Sequence, residues 1–297
     1  MNAREQGFLL LTSNLGDPNR RPLTTAQARA LAQRVATAPR IEEDRQLESR
    51  DLTAMGYSLE MAEHIVSLLD DTVLLTHYLR RGQKLGCQPI SRVGEAYPQT
   101  IHNRLGLDAP GCLWSRGDLE LLQKPAVALV GSRELAPDNL TFAKEVGRQA
   151  ALQGFVLVSG NARGADRAAQ DSCLENGGEV ISVVADELAK YGPRAHILYL
   201  SEDGFDLPFS SQRALSRNRL IHCMGLRTFV AQCGYQHGGT WDGTVKNLRF
   251  GWSPVCCFSD GSAASNLLQD MGASGVELSD LHNFAMLELR NVSIFDQ

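Results

Sequence analysis

The chain has few cysteines, and they are not arranged for chemistry. Seven are scattered over 297 residues with no C-x-x-C pair and no cysteine/histidine cluster, a pattern that argues against a zinc centre. Their odd number and spread also argue against a disulfide framework, so they read as reduced core thiols of a cytoplasmic protein. Long apolar runs are absent as well. The N-terminal run Phe8-Leu9-Leu10-Leu11 is too short for a signal peptide or a membrane span, so no membrane role is expected. There is no internal repeat and no low-complexity tail. Positive charge is not in excess: 29 Lys and Arg face 34 Asp and Glu, a net charge of −5. A nucleic-acid role therefore needs a local basic patch on an acidic molecule. What is present is ordinary for a globular protein, with 43% hydrophobic residues in a length that holds one large domain or two smaller ones.

The α/β pattern starts at Val127-Ala128-Leu129-Val130-Gly131-Ser132-Arg133. The apolar run is short and rich in β-branched residues, as in a buried strand. A helical stretch over 138–153 ends at Gly154. A second run, Phe155-Val156-Leu157-Val158, ends in Ser159-Gly160-Asn161-Ala162-Arg163-Gly164. Strand, turn, helix, strand, turn is the opening of a parallel sheet. Further strands are expected near 179–184, 196–200, 227–231 and 254–258, and helices near 165–176, 211–224 and 240–249. One more short strand and a terminal helix around 279–288 complete the pattern.

Residues 1–85 read as a small all-helical domain. Thr24-Thr25 precede strong helix formers, Ser58 can cap a helix bearing Met61, Ile65, Leu68 and Leu69, and a helix from Thr72 to Arg81 is closed by Gly82. The charged stretch from Pro39 to Arg50 suits a solvated helix or a linker. Residues 86–297 form the Rossmann-like domain. Its turn-rich lead-in spans 86–125 and has strands expected at 88–91 and 112–115. The fold class is thus α/β, a Rossmann-like parallel sheet preceded by a helical domain.

Ligands in such sheets sit beyond the carboxyl ends of the strands, and four polar clusters fall there. Gly131-Ser132-Arg133 ends the first strand. The second cluster is Ser159, Gly160, Arg163, Gly164 and Asp166. Asp166 also suits a helix N-terminus as a cap, whereas Arg163 suits an anion ligand. Arg213, Arg217, Asn218 and Arg219 lie on the next helix, whose Leu215, Leu220, Ile221 and Met224 can form its buried stripe, with the arginines mostly outside. Gly239-Thr240 opens the last cluster, with Trp241 in the core or on a base. Glycine lets backbone approach an anion, helix N-termini offer N–H groups, and arginine grips phosphate bidentately. These residues together read as a phosphate site with no metal and no cofactor.

Taken in order, Val127 to Arg133, Ser159-Gly160-x-Ala162-Arg163-Gly164-x-Asp166, Arg217-Asn218-Arg219-x-Ile221 and Gly239-Thr240 resemble the DNA-processing protein A (DprA/Smf) family. So does the lead-in Tyr97-Pro98 with Leu113-Trp114-x-Arg116-Gly117-Asp118-Leu119. The resemblance covers roughly residues 90–260. It implies a Rossmann-type protein that binds single-stranded DNA without catalysis, helps load a RecA-type recombinase during transformation, and forms a homodimer. By motif, Ser132, Arg133, Ser159, Gly160, Arg163, Arg217 and Arg219 would contact phosphates. The chain departs from the family at Gln170, where a histidine is usual, and in the loop Asp186 to Tyr191. No C-terminal winged-helix domain is expected. Two other functions suit the same fold. One is a nucleotide-sensing module. The other is a nucleoside-monophosphate phosphoribohydrolase-like enzyme, whose catalytic glutamate would fall on Asn247 or Gly243, neither of which can act as an acid or base, which leaves Asp242 as the carboxylate to recruit.

Overall fold

A computed structural model of the chain describes residues 1–38, 46–202 and 204–287. Among the described residues the strands are β1 (Gln88–Ser91), β2 (Cys112–Arg116), β3 (Ala126–Val130), β4 (Val156–Ser159), β5 (Glu179–Val183), β6 (Ile197–Glu202), β7 (Thr228–Val230), β8 (Val255–Phe258) and β9 (Ser274–Val276). They form one sheet in the order β1-β2-β6-β5-β4-β3-β7-β8-β9. Strands β3 to β9 pair in parallel, while β1 and β2 add an antiparallel edge. All five residues of β3 are buried, as a parallel strand covered on both faces requires.

Alternate side chains of β3 enter different cores. Val127 and Leu129 pack with Phe142, Val146, Ala169 and Cys173 of α7 (Pro137–Leu152) and α8 (Ala165–Glu175). Ala128 and Val130 pack on the other face with Leu220, Ile221 and Trp241 of α9 (Ser211–Met224) and α10 (Gly239–Phe250). The rings of Phe142 and Phe258 stack at 4.6 Å. A fully buried phenylalanine of this kind is worth roughly 3–5 kcal/mol against alanine. The chain steps from β3 outward through β4, β5 and β6, then crosses back to lay β7, β8 and β9 on the other side. The boundary between β3 and β7 is therefore the topological switch point, where a crevice opens at the strand ends.

The N-terminal helices are α1 (Ala3–Thr12), α2 (Thr25–Thr37), α3 (Ser49–Ala54), α4 (Leu59–Asp70) and α5 (Thr72–Lys84), and α6 (Gln99–Leu105) lies in the lead-in to the sheet. Thr24 caps α2 in a capping box with Gln27, and Ser58 caps α4. Leu23, Leu31, Leu52, Ala62, Ile65 and Leu68 make a small core of their own. Leu9 and Leu10 of α1 and Leu75 and Tyr78 of α5 join the sheet's core instead. Tyr78 meets Trp114 edge-on at 5.1 Å and stacks on Phe205 at 4.6 Å. Buried Arg20 ties the group together, with Nε 2.8 Å from the Asp71 carboxylate and Nη2 donating to the carbonyls of Leu10 and Leu68.

Two local expectations change. Gly82 does not end α5. It lies inside the helix, where a Cβ would come within 2.9 Å of the Trp114 ring, and the chain turns at Gly86 with φ +70°. No terminal α-helix forms over 279–287. Two short 3-10 turns, Leu278–His282 and Phe284–Met286, occupy that stretch, and residue 288 lies outside the described residues. Of the charged stretch from Pro39 to Arg50, residues 39–45 lie outside the described residues and Ser49 opens α3. The seven cysteines are all free and six are buried. Among the described residues no helix is long and apolar enough to cross a membrane.

Candidate nucleic-acid interface

A cleft of about 530 Å³ opens at the switch point, a size typical of a ligand pocket. Its first wall is the turn after β3. Gly131 is required there, because a Cβ would run into the methyl of Ala165 at the start of α8. Ser132 clamps the two central strand ends: its N–H donates to the Gln232 carbonyl at 2.9 Å and its hydroxyl to the same oxygen at 3.2 Å. Arg133 follows, exposed, in the cleft wall.

The second wall is the turn after β4. Asp166 is 5% exposed and accepts hydrogen bonds from the N–H groups of Gly160 and Ala162, at 3.1 and 3.2 Å. It thereby folds the turn over the N-terminus of α8, the capping role its position suggests. Gly164 has φ +88°, and a Cβ there would lie 2.5 Å from the carbonyl oxygens of Ser132 and Arg133, so the two turns touch through backbone. Ser159 is buried beneath them, its hydroxyl accepting from Gln170 Nε2 at 2.6 Å. The glutamine at the family's histidine position thus serves the packing of β4 on α8.

The third wall is α9. Ser211, Ala214, Leu215, Asn218 and Ile221 line the cleft together with Arg217. Their spacing of three, one, three and three is one face of a helix. Arg217 does not fall on the outside as its charge suggests. It is 7% exposed, and its guanidinium lies against Gly160 so closely that a Cβ on that glycine would collide with it. Its Nε and Nη1 are buried without a hydrogen-bond partner. Burial pushes the Asp166 carboxyl above and the Arg217 guanidinium below their ordinary values, and the opposite charge of each counters the shift in the other. Leu215, expected in the buried stripe, is 52% exposed at the cleft, whereas Leu220, Ile221 and Met224 are buried.

The fourth wall is the start of α10. Gly238, with φ +90°, is its N-cap, and the Thr240 hydroxyl donates to the Gly131 carbonyl at 3.0 Å. Asn218 donates to the Gly239 carbonyl at 3.1 Å. Trp241 is buried, in the core as expected.

The cleft thus brings together Gly131, Ser132, Arg133, Asp166, Arg217, Asn218, Gly239 and Thr240. Other candidates sit elsewhere. Arg163 is exposed and pairs with Glu134 at 3.1 Å. Arg213 turns away: its Nη1 donates to the carbonyls of Ala185, Leu207 and Pro208, and its Nη2 to Ser201 Oγ. Arg219 forms an ion pair with Glu202 and donates to the Asp108 carbonyl at 3.0 Å. Cleft residues outside the named candidates include Glu134, Ser211, Ala214 and His237, and Ala162 of the quoted motif lines it too. The helical spacing through Arg217 is the signal that marks Ser211 and Ala214. Asn247, the position where a hydrolase would need its acid, is buried away from the cleft, its Oδ1 accepting from the Ser253 N–H at 2.8 Å.

Formal charge in the cleft wall cancels, with Arg133 and Arg217 against Glu134 and Asp166. What the wall offers an anion is a buried, under-bonded guanidinium, an exposed one, and the first N–H groups of α10.

The fold has counterparts among solved structures. The solved structure of DNA processing protein A (DprA) from Streptococcus pneumoniae aligns with a TM-score of 0.71 over 97% of this chain and 99% of that one, at 24% identity. DNA processing protein A from Helicobacter pylori, solved for its single-stranded DNA binding mode, aligns with a TM-score of 0.55 over 67% of this chain and 93% of that one, at 23% identity. At such identities the likeness is one of fold. In sequence, DNA processing protein DprA of S. pneumoniae is 39% identical over 93 residues, 30% of this chain and 31% of that protein. Protein Smf of Escherichia coli is 28% identical over 142 residues, 44% of this chain and 38% of that protein. The chain thus spans between three and four tenths of the curated relatives' length. Residues 88–274, more than half of the chain, match the family model of DNA recombination-mediator protein A, and the chain belongs to that family, the DprA/Smf family its motifs resemble.

Proposed function

We propose that the chain binds single-stranded DNA through phosphates seated in the cleft between β3, β4, β7 and α9, without reading sequence and without catalysing a reaction. One observation carries this reading. Arg217 is buried at the cleft floor with Nε and Nη1 unpartnered. A guanidinium left under-bonded in a buried position is costly and rare, and an anion in the cleft that Arg217 lines offsets that cost by its charge. Asp166 holds the guanidinium in place electrostatically, and Gly160 leaves it room. The polyanion comes from the family, whose relatives above are DNA-processing proteins, one of them a single-strand binder. The two carboxylates of the wall support binding rather than chemistry. Asp166 is tied to two backbone N–H groups, and Glu134 is exposed beside Arg163. Self-association through the α/β domain and a RecA-type recombinase as partner belong to the same proposal.

The test is fluorescence anisotropy with a labelled single-stranded oligonucleotide over a range of salt. The competitors are duplex DNA and mononucleotides. Arg217→Ala is expected to weaken binding at least ten-fold and to reduce the slope of log K against log salt by about 0.7, the share of one phosphate contact on a single strand. Arg148→Ala, which loses an ion pair with Glu145 on α7 outside the cleft, keeps the affinity of the folded protein. Equal binding by wild type and Arg217→Ala removes the cleft from the account. Displacement by mononucleotides as efficient as by strands makes the nucleotide-sensing module the better reading.

A further inference from the structure

Charged and polar groups line the cleft, and large apolar side chains stand on the segments that enter it. Phe209, Leu215 and Tyr235 are each large, apolar and 52% exposed. Leu215 is part of the cleft wall. Tyr235 falls between the wall residues Gly234 and His237, and Phe209 stands two residues before Ser211, where the wall begins. Single exposed apolar side chains are common on any surface. A leucine in the cleft wall and two aromatic rings on the segments that enter it are surface groups suited to a ligand.

Both aromatic residues are held in place. The Phe209 N–H donates to the Asp186 carboxylate at 3.0 Å, and the next residue, Ser210, caps α9 by accepting the Arg213 N–H at 3.1 Å. The Tyr235 carbonyl lies 2.9 Å from His237 Nδ1, and its ring lies 6.4 Å from buried Trp241. The two rings therefore sit on the loops that lead into α9 and α10, the helices that carry Arg217 and the N-terminal donors.

A single strand presents both matching chemistries. Its phosphates suit the floor, and its bases have π-faces that stack on aromatic rings regardless of sequence. Building on the reading of the cleft as a phosphate site, we propose that Phe209 and Tyr235 are base-stacking platforms, so that the strand lies with its backbone toward Arg217 and its bases turned out onto the two rings. In a duplex the bases are already stacked and paired, and their faces are not offered. The platforms thus select single strands, a preference that phosphate contacts alone do not supply.

The experiment compares the full chain with Phe209→Ala, Tyr235→Ala and the double variant. The probes are a labelled single strand, an abasic strand of the same length and charge, and a duplex. Each substitution is expected to weaken single-strand binding by about ten-fold, within the range for one base stacked on an aromatic ring, and to leave the salt slope unchanged. Abasic-strand binding stays equal in wild type and double variant, and the margin over duplex shrinks. Phe209→Trp and Tyr235→Trp, which keep a ring, retain affinity, which separates stacking from a damaged fold. The inference is overturned if the double variant binds the single strand as wild type does, or if it loses abasic and normal strands equally. If wild type binds no oligonucleotide, the phosphate reading itself falls, and this inference with it.

Discussion

His222 is 1% exposed, and burial holds its imidazole well below the ordinary 6.5, at about 3. The neutral ring sits in a closed polar network. Its Nδ1 lies 3.2 Å from Thr228 Oγ1 and 3.1 Å from Asn247 Nδ2, and Thr228 and Asn247 both reach Ser253 Oγ. Below pH 6.5 the unfolded chain takes up a proton at this residue that the native state refuses until about pH 3. Stability therefore falls as the pH drops through that window, and this group adds no slope above it. Urea titrations at pH 7, 6 and 5 should show the loss, and His222→Gln, a neutral side chain with donor and acceptor, should flatten it. An unchanged acid slope in His222→Gln would assign the loss to other groups. Residue types at the cleft are legible in the sequence, but their directions are not. Arg213, Arg217 and Arg219 look alike as letters on α9. What separates them is the distant carbonyls of Ala185 and Leu207, the Glu202 carboxylate, and the space above Gly160.

Helices α7 and α8 lie side by side on one face of the sheet, and Gly147 sets how close they come. A Cβ there would meet the backbone carbonyl of Ala169, which cannot swing aside as a flexible side chain can. Gly147→Ala should push α8 outward and cost roughly 1–3 kcal/mol, as overpacking does. Because α8 starts at the cleft, strand affinity should fall with it. Gly7 is the control: it sits within α1 with nothing within 4 Å of a Cβ, so Gly7→Ala should stabilise by roughly 0.5–1 kcal/mol. Denaturation midpoints that move in the same direction for both variants would refute the packing argument. At this scale the sequence reads well. Each strand near 126–130, 179–184 and 254–258 stands where apolar runs and glycine stops place it, because those signals are local. The exceptions depend on long-range contact. Gly82 looks like a helix stop, yet Trp114, from another strand, packs against it. The stretch over 279–287 carries Leu281 and Phe284, but they are pinned individually into the sheet's core by 3-10 turns.

The molecule as a whole is joined across the boundary that its sequence suggests. Composition changes near residue 85, and a helical domain followed by a sheet domain is the natural division. Yet the helical region has two cores. The one made by α2, α3 and α4 is its own, while α1 and α5 give Leu9, Leu10, Leu75 and Tyr78 to the sheet's core. Trp114 and Phe205, both fully buried, pack directly against Tyr78 of α5. Arg81 of α5 pairs with Asp206 on the loop that runs toward Phe209 and α9. Removing residues 1–85 would strip the cover from two large aromatic side chains and take one anchor from the loop into α9. We therefore expect the full chain to unfold in one transition, with tryptophan fluorescence and far-UV circular dichroism coincident. A chain starting at residue 86 should bind a hydrophobic dye, aggregate, and lose strand affinity even though every cleft residue is present. A soluble, dye-silent fragment that binds oligonucleotide as the full chain does would mean that the sheet domain folds alone, and that α1 and α5 merely rest on it.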